Sequence, residues 1–210
     1  MKIRLSDVGK RFNREWIFRN ATIEFTAGTA YAITGANGSG KSTLLQTVCG
    51  LLQPSEGTIV YSQNDQPIAV EKAFQYISFC APYLELVEEM SLAEFLQFHN
   101  SFKPFIKGFH ATRIIAAVGL SGTANKQIRD FSSGMKQRVK LAQAIFSDTP
   151  VLLLDEPCTN LDAAGIELYQ QLINDYCLNK LVIVSSNDKM EYSFCKQVIE
   201  IERFKSGVIS

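Results

Sequence analysis

One segment constrains this chain more than any other. Gly35-Ala36-Asn37-Gly38-Ser39-Gly40-Lys41-Ser42-Thr43 satisfies the pattern G-x-x-x-x-G-K-S/T. Glycines permit backbone angles closed to other residues, so successive N–H groups can converge on one phosphate chain. Tyr31–Thr34 before the loop reads as an apolar strand, and Leu44–Leu51 after it reads as a helix that stops at Gly50–Pro54. The helix starting near Lys41 adds its positive N-terminal end. Strand, tight loop and helix in this order point to an α/β fold and to a nucleoside triphosphate site. All nine residues from Gly35 to Thr43 are candidate nucleotide contacts. Lys41 would bring a catalytic cation to the β- and γ-phosphates, and the Ser42 hydroxyl is placed to bind Mg2+.

A second segment supplies acids. Val151-Leu152-Leu153-Leu154-Asp155-Glu156-Pro157 is an apolar strand that ends in two carboxylates. Such a strand delivers Asp155 to the C-terminal edge of a sheet, where ligands of open α/β sheets sit. Asp155 is the candidate second Mg2+ ligand, and Glu156 the candidate general base for an attacking water.

The remainder is consistent with an α/β chain. Ile3–Leu5, Ala21–Phe25, Thr29–Thr34, Thr58–Tyr61, Gln75–Phe79 and Leu181–Ser185 read as strands, with a turn at Ala27-Gly28. Ser91 to about Leu120 has helical spacing, broken into two helices by Lys103–Gly108. Ser132–Phe146 is a further helix with Ser132 as N-cap, and Asp162–Cys177 another. At 210 residues the chain is long enough for one large domain, or one domain with a small inserted lobe. The expected division is a core lobe over about 1–80 and 148–210 and a helical lobe over about 83–147.

Charge and cysteines narrow the class. Lys plus Arg equals Asp plus Glu at 21 each, which gives no electrostatic footprint for nucleic acid. The five cysteines form no C-x-x-C pair, and reduced thiols in a cytosolic protein are the simplest expectation. No apolar run approaches the roughly 20 residues that span a bilayer, so a membrane role would come through a partner.

With these motifs in place the chain resembles the ATP-binding cassette of ABC transporters, over nearly its whole length. Phe131-Ser132-Ser133-Gly134-Met135-Lys136-Gln137-Arg138 is similar to the family's signature sequence, and Thr159-Asn160-Leu161-Asp162 to its D-loop. The implied fold is a P-loop NTPase: a mostly parallel core sheet, an N-terminal antiparallel β-subdomain and a small α-helical subdomain. The implied activity is hydrolysis of Mg2+-bound ATP that drives a separate transmembrane permease. The resemblance also implies a head-to-tail homodimer or heterodimer of cassettes, with Ser132 and Gly134 of one reaching the γ-phosphate held by the other. It places the chain in the cytoplasm, peripheral on the inner face of the membrane. Asp162 and Asn187 join the nucleotide contacts. Phe12 falls where the family stacks adenine, although a strand residue in the core would read the same way, and Trp16 competes for the role.

Three departures qualify the resemblance. The signature has Ser133 and Met135 where glycine and glutamine are usual. The family's Gln after the strand Gln75–Phe79 is absent from Cys80-Ala81-Pro82-Tyr83-Leu84, which predicts one lost metal or water contact. Asn187 stands where a His is expected, and can hydrogen-bond a phosphate but not become a cation. His99 and His110 fall in the helical region and read as structural. Phe79, Tyr83, Leu84, Leu86 and Val87 are apolar for a loop and mark a docking surface near Pro82–His99. Two other functions stay open: a soluble ABC-type switch outside a transporter, and a binding-only cassette with weak hydrolysis.

Overall fold

The computed structural model describes residues 1–205. Two sheets carry the architecture. An antiparallel sheet has the order β2-β1-β4-β5, from β1 (Lys2–Phe12), β2 (Glu15–Thr26), β4 (Glu56–Gln63) and β5 (Gln66–Ile68). A five-stranded sheet has the order β6-β7-β8-β3-β9, from β3 (Ala30–Thr34), β6 (Ile77–Cys80), β7 (Val151–Asp155), β8 (Leu181–Ser185) and β9 (Gln197–Glu200). Every pairing in the second sheet is parallel. Its helices are α1 (Lys41–Val48), α2 (Leu92–Phe102), α3 (Ala111–Ala117), α4 (Ser133–Phe146), α5 (Ala163–Tyr176) and the short α6 (Lys189–Tyr192).

The continuous apolar runs of β7 and β8 follow from burial on both faces. Successive strand residues point to opposite sides. Leu152, Leu154, Val182 and Val184 therefore pack into one cluster with Leu96 of α2, Ile114 of α3, Phe146 of α4 and Tyr169 of α5. Val151, Leu153, Leu181 and Ile183 face the other way, onto Leu44 and Leu45 of α1 and onto Ile3, Leu5 and Phe25 of the antiparallel sheet. The helices between β6 and β7 thus share one core with a face of the parallel sheet.

Local chemistry sets the helix starts. Ser91 and Glu94 form a reciprocal capping box at α2. The Ser132 hydroxyl accepts from the Met135 N–H at 3.3 Å and caps α4, as its sequence predicts. Asp162 caps α5 by accepting from the Gly165 N–H at 2.8 Å.

Several elements differ from expectation. The predicted strand Gln75–Phe79 starts later: Val70–Tyr76 is a 3-10 helix and the strand runs Ile77–Cys80. The first strand extends from the expected Ile3–Leu5 to Phe12, across register shifts between Leu5 and Val8 where Asp7 has φ 50°. The strands β5 and β9 are short and polar, without the apolar run that announces β7. The docking-surface expectation is corrected at Leu86, which is 8% exposed and belongs to the core. All five cysteines are free. Among the described residues no helix is long and apolar enough to cross a membrane.

Candidate nucleotide site

Parallel pairing brings five strand ends to one edge. In β7, Asp155 pairs with Ser185 of β8, and Ser185 pairs with Ile33 of β3. Thr34 pairs with Glu200 of β9, and Leu154 with Cys80 of β6. The segments beginning at Gly35, Glu156, Ser186, Ile201 and Ala81 therefore leave the sheet side by side. Gly35–Gly40, Asp155-Glu156 and Asn187, found separately in the sequence, converge here.

The phosphate loop holds its glycines in conformations that need them. Gly35, Gly38 and Gly40 have φ of 146°, 75° and 104°. Gly40 is the N-cap of α1 and the chain enters the helix directly after it. Lys41 is only 5% exposed, and its ammonium donates to the Gly35 carbonyl at 2.8 Å and the Ala36 carbonyl at 3.3 Å. The cation is thus folded back over the loop rather than held out in solvent.

Two side chains outside the motif fasten the loop. Asn187 Oδ1 accepts from the Gly35 N–H at 3.1 Å, and its amide donates to Asn37 Oδ1 at 3.1 Å. Glu202 Oε1 accepts from the Ala36 N–H at 2.8 Å. That bond holds the Glu202 carboxyl below its ordinary range, and the Lys41 charge assists. Asn187 is therefore committed to the loop backbone, a placement its position in the sequence did not suggest.

The acidic strand end is strained and braced. Glu156 adopts φ 42°, a left-handed conformation costly for a residue with a side chain. Its N–H donates to the Ser185 carbonyl at 2.9 Å, and its side chain is exposed beside Asn187. The turn behind it is tied by two side chains, one of them braced by a third. Buried Gln137 of α4 donates to the Pro157 carbonyl at 2.7 Å, Glu191 of α6 accepts from the Cys158 N–H at 2.7 Å, and the Tyr169 hydroxyl donates to the Glu191 carbonyl at 2.8 Å. Burial raises the Glu191 pKa above the ordinary carboxyl range.

Two orphaned oxygens fit a bound cation and its phosphate. Asp155 is 1% exposed, and its Oδ1 is buried with no protein partner; Ser39 Oγ is in the same condition within the loop. A buried polar atom without a partner costs about 1–3 kcal/mol, a penalty that a ligand removes. One carboxylate and the Ser42 hydroxyl suit Mg2+, which takes few protein oxygens and completes its shell with phosphate and water. Among the described residues no group of three or more His, Cys, Asp or Glu is arranged to hold a metal by itself.

Next to Asp155 stands Tyr83, which the sequence reading assigned to a docking surface. Its hydroxyl and Gln46 Nε2 are 2.7 Å apart. Burial pushes the phenol up to about 12, and the facing charge of Asp155 adds to the rise.

Phe12, at the end of β1, is 46% exposed, which corrects the reading of it as a core strand residue. The guanidinium groups of Arg11 and Arg19 stand 5.5 and 4.5 Å from the Trp16 ring. The Lys10 ammonium stands 5.2 Å from the Phe12 ring in the same way, but Phe12 is exposed and Trp16 half-buried, so Phe12 is the more available platform.

The signature segment lines a different depression, with Ser132, Ser133, Gly134, Asn160 and Asp162. No phosphate-loop residue lines it. A Cβ on Gly134 would meet the Asn160 carbonyl at 3.0 Å, so a side chain there would have to displace that backbone by a few tenths of an ångström. Asp162 is occupied with capping α5 and pairs with Arg138 at 3.6 Å.

A family model described as "ABC transporter" matches residues 18–159. The chain is 34% identical to the cytochrome c biogenesis ATP-binding export protein CcmA of Rhizobium johnstonii, over 78% of this chain and 77% of that protein. It is 30% identical to an uncharacterized ABC transporter ATP-binding protein, YybJ, of Bacillus subtilis, over 95% of this chain and 92% of that one. A putative ABC transporter ATP-binding protein from Pyrococcus furiosus superposes with a TM-score of 0.82 at 22% identity, covering 98% and 100% of the two chains. A dimeric ATP-binding cassette bound to ADP and Pi superposes with a TM-score of 0.80 at 23% identity, over 95% and 94%. With the phosphate loop, acidic strand end and signature helix on one P-loop NTPase fold, the chain belongs to the ABC transporter family and is an ATP-binding ATPase cassette of it.

Proposed function

We propose that this cassette binds Mg2+ and ATP at Gly35–Thr43 and hydrolyses the ATP at an interface between two cassettes, so driving a transmembrane partner. The observation that carries the reading is the pair of buried, partnerless oxygens at Ser39 and Asp155, within and beside the glycine loop. Lys41 would swing from the loop carbonyls to the phosphates. Ser42 and Asp155 would hold Mg2+, which supplies charge neutralisation on the phosphate oxygens. Glu156 would take the proton of the attacking water, and Phe12 would stack on the adenine. Ser132 and Gly134 line a separate face, which suits a site completed by a second cassette. That arrangement explains why neither Ser132 nor Gly134 reaches its own chain's phosphate loop.

The partner surface is proposed as the apolar groove between β6 and the helices α2 and α4, lined by Leu51, Phe74, Phe79, Leu84, His99 and Lys103. It overlaps the loop marked from sequence at Phe79 and Leu84 but extends toward the 3-10 helix Val70–Tyr76. Peripheral attachment to the inner membrane face through this groove follows as part of the proposal. A binding-only cassette is favoured by one observation, the commitment of the Asn187 amide to Gly35 and Asn37. One assay separates the two readings. Purified wild-type chain should release phosphate from ATP in Mg2+ at least tenfold faster than Glu156→Gln, while both bind ATP. Equal release by the two would leave only the binding reading.

A further inference from the structure

The loop after β6 carries a phenol to the acidic side of the site. Cys80 pairs with Leu154, so the chain beyond Cys80 runs alongside Asp155. A turn closed by Leu84 N–H on the Ala81 carbonyl at 3.2 Å, with the Lys140 ammonium on the Pro82 carbonyl, folds the segment back. The Tyr83 ring packs against Phe79 with centroids 6.3 Å apart. Its hydroxyl accepts from Gln46 Nε2 at 2.7 Å. Gln46 follows Ser42 by four residues on α1, so the two side chains share one face of that helix. The hydroxyl is therefore held at the helix face bearing Ser42 and within reach of the Asp155 carboxylate, one oxygen of which is buried without a partner. A phenol that accepts from an amide keeps its own proton to donate.

We infer that Tyr83 is a positioning residue of the cation site: its hydroxyl, anchored by Gln46, orients the Asp155 carboxylate. The inference rests on the proposed reading of Ser42 and Asp155 as the Mg2+ ligands. It revises the expectation that the Gln-free segment Cys80–Leu84 leaves a contact vacant. The position is served by the residue after Pro82, from a longer side chain and with a single donor in place of an amide.

Tyr83→Phe keeps the ring on Phe79 and removes only the hydroxyl. The measurement is equilibrium binding of a fluorescent ATP analogue to full-length protein, once in Mg2+ and once in EDTA, with Mn2+ binding to the ATP-loaded chain read by electron paramagnetic resonance. The expected result is unchanged affinity in EDTA, a Mg2+-dependent gain smaller by about 3- to 10-fold, and weaker Mn2+ binding in the same proportion. An unchanged or larger Mg2+-dependent gain would overturn the inference. So would equal loss in Mg2+ and EDTA, which marks a structural role alone. Failure of the underlying reading is distinguishable, because wild-type protein would then bind ATP no better with Mg2+ than without.

Discussion

Gly35→Ala puts the loop's construction under the sharpest test. The added Cβ would lie 2.5 Å from Glu202 Oε2 and 2.5 Å from Ile201 Cγ2. Ile201 is fully buried, so the clash cannot be relieved by swinging one flexible side chain. Holding a non-glycine residue at φ 146° costs about 1–3 kcal/mol. Displacing Glu202 also gives up its bond to the Ala36 N–H, about 0.5–1.5 kcal/mol. The sum is about 2–4 kcal/mol. At roughly 2–4 °C per kcal/mol for a chain of this size, the melting temperature should fall by about 4–16 °C. Gly28→Ala is the internal control. Its φ is 74° and no atom lies within 4 Å of where its Cβ would stand, so only the backbone cost of about 1–2 kcal/mol remains. Differential scanning fluorimetry of both variants, with ATP titrations of each, provides the comparison. Gly35→Ala should melt lower than Gly28→Ala and alone lose affinity for ATP, by about tenfold. If it melts no lower than Gly28→Ala, Glu202 and Ile201 do not brace the loop.

Two other expectations follow from the same packing. Burial pushes His99 down to about 4, where it is stacked on Phe105 and bonded to Ser147 at 2.9 Å. The unfolded chain takes up this proton near pH 6.5 and the folded chain does not, so stability is full above that pH and is lost as pH falls from 6.5 toward 4. His99→Gln should flatten the difference between unfolding free energies from urea titrations at pH 7 and pH 5 by about 1–2 kcal/mol after allowance for partial exposure; an unchanged difference would refute the assignment. Phe12→Ala should weaken ATP binding by about 5- to 50-fold and Trp16→Ala by less, measured by titration; the reverse order would make Trp16 the adenine platform.

What could be read from the residues alone was whatever is local in the chain. The phosphate loop, the run Val151–Asp155 and the caps Ser132 and Asp162 each announce themselves within a few residues, because their function is to turn or end one element. The fastening of the site is different. Asn187 reaches Gly35 across 152 positions and Glu202 reaches Ala36 across 166. Neither pairing leaves a mark on spacing or periodicity. The place of Tyr83 beside Asp155, rather than on a docking surface alone, was hidden for a related reason. Its role depends on the turn after Cys80 and on the α1 face shared by Ser42 and Gln46, both set by packing. The strand β9 escaped because Gln197–Glu200 is largely exposed and at a sheet edge, so burial never selected an apolar run there. The exposure of Phe12 was likewise undecidable from alternation, since the bulges in β1 break the period-two pattern.

The central claim is a nucleotide site completed between two copies, and sedimentation tests it most directly. Glu156→Gln should retain the loop and the cation ligands while slowing hydrolysis, so ATP would stay bound. In ATP and Mg2+ this variant should sediment as a dimer, and it should return to monomer when ATP is replaced by ADP or when Lys41→Ala is added. Glu156→Gln that binds ATP yet remains monomeric across the concentration range would contradict the account.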